Sequence, residues 1–172
     1  MTSSEAIQTA QPWVIDTNIV LDLWLFEDPA TVPLRAALQS GRISHLATRS
    51  MRDELERVLT YPHIVKRMAK SSLQAQDILN RFDQHHVSAE PADKAPCTCK
   101  DPDDQKFIDL AVAHRVPLLS KDAAILCMKK RLSQSGVALN PSEFLHSECA
   151  HVAPNIPFIT GTSHDRPATR RL

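Results

Sequence analysis

The apolar run Trp13-Val14-Ile15 stops abruptly on an acid, Asp16, and is followed by Thr17-Asn18 and then by Ile19, Leu21, Leu23, Trp24 and Leu25. Three bulky residues bounded by turn chemistry read as a buried strand, and the longer apolar-periodic run after them reads as a helix. A strand that feeds directly into a helix is the first half of a parallel crossover unit. A chain that repeats this unit is confined to an open α/β sheet with helices on both faces. In such sheets ligands bind outside the carboxyl ends of the strands, where the strand order reverses. Position alone therefore makes Asp16 a candidate site residue.

The alternation continues along the chain. Asp28-Pro29 closes the first helix, because the residue before a proline is pushed out of the helical region. Residues 30–39 form a second helix with Leu34, Ala37 and Leu38 on its inner side, 42–47 a strand, and 48–60 a helix that stops before Tyr61-Pro62. Residues 63–84 read as two helical pieces, 86–87 as a brief strand, and 88–100 as an irregular segment with Pro91 and Pro96. Asp101 opens a helix to His114, 116–119 is a strand, 122–132 a helix, 137–139 a last strand and 141–146 a last helical turn. The expected organisation is a disordered tail at 1–11, one domain at 12–148 and a flexible tail at 149–172, where Pro, Ser, Thr and His leave little apolar surface to offset ordering.

Composition narrows the function. Lysine and arginine (20) balance aspartate and glutamate (20), so there is no global field to attract polyanions, and contact with them falls to local patches. No apolar run approaches the roughly 20 residues of a membrane span. No secretory signal is visible near the start, so the expectation is a cytoplasmic protein with no membrane partner. Cys97, Cys99, Cys127 and Cys149 lack the paired spacing of a zinc site and read as reduced thiols.

The informative residues are acids that do not fit a solvated surface. Pro117-Leu118-Leu119-Ser120-Lys121-Asp122 again runs a strand into a polar turn and an acid; Asp122 reads as either a helix N-cap or a site carboxylate at the same sheet edge as Asp16. At about 100° per residue Asp104 falls in line with Phe107, Ile108 and Ala111, whereas Asp103 and Asp109 point elsewhere. Glu54 flanks the stripe of Met51, Leu55, Val58 and Leu59. Carboxylates gathered this way repel one another and raise each other's pKa values unless a cation lies among them. Oxygen-only ligands favour Mg²⁺ or Mn²⁺ over zinc.

Val14-Ile15-Asp16-Thr17-Asn18, the helical Glu54, Asp101-Pro102-Asp103-Asp104-Gln105-Lys106-Phe107 and Ser120-Lys121-Asp122 together resemble, in order and spacing, the PIN-domain ribonucleases. The resemblance spans about residues 12–145 and is strongest to the bacterial toxins of toxin–antitoxin pairs. It implies a doubly wound parallel sheet of about five strands flanked by helices, and Mg²⁺- or Mn²⁺-dependent cleavage of single-stranded RNA. By position it makes Asp16, Glu54, Asp104 and Asp122 the metal-binding, catalytic acids. Asp101 becomes an outer acid or helix cap, and Thr17, Asn18 and Ser120 become hydrogen-bonding supports. Arg49, Arg52 and Lys121 are the local cations suited to the RNA backbone. An antitoxin protein and a second copy of the chain are the partners that the resemblance admits. The family often carries a further acid two residues after the last one, where this chain has Ala124, which bears on a second metal.

Two other readings stand beside this one. A phosphatase of the haloacid dehalogenase type also places an aspartate after its first strand, but wants a second one two residues on, where this chain has Asn18. A PIN-like RNA-binding or scaffold module with a weak metal site would share the fold without the chemistry.

Overall fold

The computed structural model describes residues 10–142. Residues 1–9 of the N-terminal tail, 143–148 of the domain, most of the helical turn expected at 141–146, Cys149 and the whole of 149–172 lie outside the described residues. Gln11, read from sequence as tail, instead opens the first strand.

Strands β1 (Gln11–Ile15), β2 (Ile43–Ala47), β3 (His86–Ser88) and β4 (Leu118–Leu119) form one parallel sheet in the order β3-β2-β1-β4. The doubly wound parallel α/β fold is as expected, with four strands among the described residues where about five were expected. Residues 137–139 add only a bridge from Leu139 to Leu118, held by Leu118 N–H on the Ala138 carbonyl and Asn140 N–H on the Leu118 carbonyl, both at 2.9 Å. The reason is local. Asn140 takes a left-handed φ of 48° and Pro141 follows it, so the chain turns away after one pairing.

The helix after β1 is α1 (Thr17–Leu21), which widens into a π turn at Asp22–Phe26 and ends on Glu27 with φ 51°. A π turn leaves carbonyls without their usual partners. Here Arg35 Nη2 donates to the Leu23 carbonyl at 2.6 Å and Arg81 Nη1 to the Trp24 carbonyl at 3.2 Å. A 3₁₀ turn (Pro29–Thr31) leads into α2 (Val32–Gln39). Helices α3 (Arg49–Val58), α4 (Pro62–Lys70) and α5 (Ala75–His85) join β2 to β3, with Pro62 at the first turn of α4, where its missing N–H costs nothing. The connection back to β4 carries α6 (Gln105–His114), and α7 (Ala123–Leu126) and α8 (Lys129–Gln134) follow it in place of the single helix expected at 122–132. The chain steps from β1 outward through β2 to β3 and then crosses back to β4 on the other side of β1, so the order reverses between β1 and β4; the right-handed rule for such crossovers puts the helices of the two directions on opposite faces. No helix among the described residues is long and apolar enough to cross a membrane.

The helix expected to open at Asp101 starts four residues later. Asp101 Oδ1 accepts the Asp103 N–H at 2.9 Å and so closes a local turn instead of capping α6. Asp109, outside the apolar stripe, pins the irregular segment before α6: its Oδ1 accepts from Ala95 N–H at 2.8 Å and from Gln105 Nε2 at 2.7 Å. That anchoring buries Ala95, Cys97 and Cys99 in the core, whereas Cys127 is exposed.

All five positions of β2 are buried, His45 among them. Its ring packs edge-on against Phe82 at 4.8 Å, and burial holds its pKa down at about 3 from an ordinary 6.5, with His86 adding to the effect. Since the depressed value belongs to the folded state, stability is complete above pH 6.5 and is lost as pH falls toward 3. His45→Leu is expected to remove that acid limb. At pH 4 it should gain about 3 kcal/mol over wild type relative to their difference at pH 8. Parallel pH profiles by urea unfolding would disprove this role for His45.

Candidate active site

Strand register builds the first half of the site. Val14 pairs with Leu118 and Ile15 with Leu119, and the Asp16 N–H reaches the Leu119 carbonyl at 2.9 Å. The next residues on each strand, Asp16 and Ser120, therefore meet at the point where the strand order reverses. Both are buried, at 2% and 0% exposure, and Ser120 Oγ donates to Asp16 Oδ2 at 2.7 Å. The same hydroxyl accepts the Asp122 N–H at 3.0 Å, so one serine ties the acid after β1 to the acid after β4. Ser120 is itself clamped by Asn140, whose side chain accepts the Ser120 N–H at 2.9 Å and donates to the Ser120 carbonyl at 2.7 Å.

Asp122 serves both readings of the sequence at once. Its Oδ1 accepts the Ala124 N–H at 2.7 Å as the N-cap of α7, and its charge bears on Asp16 and Asp104. Glu54 rides on α3, beside the buried Met51 and Leu55. Thr17 Oγ1 donates to Glu54 Oε1 at 2.7 Å, and Lys106 Nζ pairs with Glu54 Oε2. Asp104 precedes α6 and is half-buried, and its Oδ2 is buried without a hydrogen-bond partner among the described residues.

The electrostatics follow from this crowding. Burial raises the Asp16 pKa above its ordinary 3.8, against hydrogen bonds from Ser120 and the Asn18 backbone, and the charges of Glu54 and Asp122 raise it further. Asp104 is pushed up to about 7, first by burial and then by Asp122, Asp16 and Asp101. Two carboxyls thus resist ionising together, the conflict that a cation would remove.

The supporting residues divide. Thr17 and Ser120 reach the acids with their side chains. Asn18 contributes its backbone, and its side chain is on an exposed residue; Asp101 is exposed in its turn. The three cations proposed for RNA are spent on acids. Arg52 binds Asp83 through two bonds at 2.8 and 2.9 Å, Lys121 pairs with Asp22 at 2.5 Å, and the exposed Arg49 meets Asp53 at 2.8 Å. The i,i+4 spacing of Arg49 with Asp53 and of Arg52 with Glu56 was visible in the sequence, but Asp83, which holds Arg52 through two bonds, and Asp22, which holds Lys121, come from 31 and 99 residues away.

Three residues escaped the sequence reading. Lys106 and Arg57 line an open cleft of about 360 Å³ together with Ser50, Asp53, Glu54 and Asp103. Asp22 is buried near Ser120, and an acid inside the apolar run from Ile19 to Leu25 was the signal for it.

The donor chemistry fits a hard divalent cation: oxygen ligands only, two raised carboxyl pKa values, and a buried Asp104 oxygen lacking a partner. The arrangement is not closed around one, since among the described residues no three His, Cys, Asp or Glu side chains stand in metal-holding geometry. Residues 12–123, well over half of the chain, match the family model described as PIN domain, and no curated protein matches the chain.

Proposed function

The chain belongs to the PIN-domain family, a nuclease-type fold, and from that premise we propose that it is a metal-dependent endoribonuclease that hydrolyses phosphodiester bonds of single-stranded RNA. The observation that carries this reading is the pairing of β1 with β4, which delivers Asp16, Ser120 and Asp122 to one corner beside Asp104. Asp16, Glu54, Asp104 and Asp122 are the residues to hold Mg²⁺ or Mn²⁺. A bound divalent ion supplies a more acidic water and stabilises charge on the phosphate oxygens.

The protein's own part is positional. Ser120 fixes the orientation of Asp16 through its hydroxyl and steadies Asp122 through the backbone. Thr17 holds Glu54. Near neutral pH Asp104 exchanges its proton, so ligand binding at this oxygen strengthens as pH rises toward 7. Arg57, on the cleft beside Glu54, joins the cations for the RNA backbone, because it forms no ion pair among the described residues, whereas Lys106 is held by Glu54.

Incubation with single-stranded RNA and Mn²⁺ should yield cleavage that EDTA abolishes. Hydrolysis of p-nitrophenyl phosphate with none of RNA would instead restore the phosphatase reading, which Asn18 disfavours by offering no carboxylate. The scaffold reading draws support from the unclosed acid cluster; it would be established by RNA binding without cleavage and no heat on Mn²⁺ titration. The toxin role rests on the resemblance set out above, together with a cytoplasmic location and an antitoxin partner. A small neighbouring reading frame encoding a DNA-binding protein whose product blocks cleavage would support it. Sedimentation of the purified chain decides the homodimer.

A further inference from the structure

Both oxygens of Glu54 are already taken: Thr17 Oγ1 donates to Oε1 at 2.7 Å, and the Lys106 ammonium sits on Oε2. Lys106 is not a loose surface charge. Its ammonium also donates to the Asp103 carbonyl and lies over the Phe107 ring at 5.0 Å, and its side chain is 26% exposed against 14% for Glu54. Among the acids proposed to hold a metal, Glu54 is the one with a lysine on it, and its charge still bears on Asp16 as that of Asp122 does.

We propose that Lys106 is a built-in counter-ion that stands in for the metal at Glu54, so that a divalent cation completes its site only by displacing the lysine. The inference rests on the metal-dependent reading above and gives a physical reason for the unclosed acid cluster. A lysine suits this place better than an arginine. Its ammonium is a point charge on a flexible stem that can swing away without breaking a planar bidentate contact. The chain therefore tolerates its acids without metal at the cost of weaker metal binding. Lys106 is thus a positioning residue that sets when Glu54 is available.

The test is Mn²⁺ titration of the full-length protein by calorimetry, paired with melting curves with and without Mn²⁺, for wild type, Lys106→Met and Lys106→Arg. Lys106→Met is expected to bind Mn²⁺ at least about fivefold more tightly, the scale of a half-buried ion pair that no longer has to be broken. It should also melt lower than wild type without metal, since Glu54 loses its partner, and recover when Mn²⁺ is added. Lys106→Arg keeps the charge and should bind no more tightly than wild type. Equal or weaker binding by Lys106→Met, with wild type binding normally, overturns the counter-ion role and leaves the metal reading standing. No Mn²⁺ binding by any of the three overturns both.

Discussion

Asp104→Asn is expected to make the metal-free protein more stable and the nuclease at least about 10²-fold slower, on the scale of several kcal/mol for metal-assisted catalysis. The stability arm follows from the sign of the shift. With a folded pKa of about 7 against an ordinary 3.8, ionised Asp104 destabilises the fold fully above pH 7 and not at all below pH 3.8. The melting-temperature gain of the asparagine variant should therefore be absent near pH 4, grow through the interval and level off above 7. Asp103 is the control. It is exposed, it is not among the charges acting on Asp104, and it presents its carbonyl to Lys106. Asp103→Asn should stay within a few-fold in cleavage rate, and its stability should differ by less than about 1 kcal/mol, as befits an exposed charge near a helix start. Equal losses of activity in the two variants would mean that the acid facing the crevice is misassigned.

The second large effect belongs to Asp16. Asp16→Asn should abolish detectable cleavage, a loss of about 10³-fold or more, and weaken Mn²⁺ binding while leaving a folded protein, because the amide can still hydrogen-bond to Ser120 and the mutual repulsion with Glu54 and Asp122 disappears. Ser120→Ala separates orientation from ligation. It keeps every proposed ligand and removes the hydroxyl shared by Asp16 and Asp122. A loss of about 10- to 100-fold, the usual range for a residue that orients a ligand, is expected. Circular dichroism and RNA cleavage measured side by side decide both. An active Asp16→Asn with a lowered melting temperature would make Asp16 a structural residue.

What the sequence made legible was whatever depends on local period. The strand-to-acid junctions at Asp16 and Asp122 could be placed because a buried strand must stop somewhere and a carboxylate cannot continue it. Helical spacing likewise put Glu54 beside the Met51 and Leu55 stripe. Long-range pairing was invisible. Arg52 read as a cation for RNA, but α5 brings Asp83 to it, and nothing in a lysine two residues after Asp104 announced that it would reach across to α3. The start of α6 was misjudged for a different reason. Asp101 followed by Pro102 has the chemistry of a helix start and of a turn alike, and the turn prevailed.

The clamp of Asn140 on Ser120 has a consequence for how this protein is made. Synthesis delivers Asp16 early and Asn140 near the end of the domain, and Ser120 reaches Asp16 across 104 residues of chain. Until β4 and the residues that follow it have left the ribosome, Asp16 has neither the Ser120 hydroxyl nor the neighbouring Asp122. On the proposed reading, the corner that does the chemistry is among the last parts to be set.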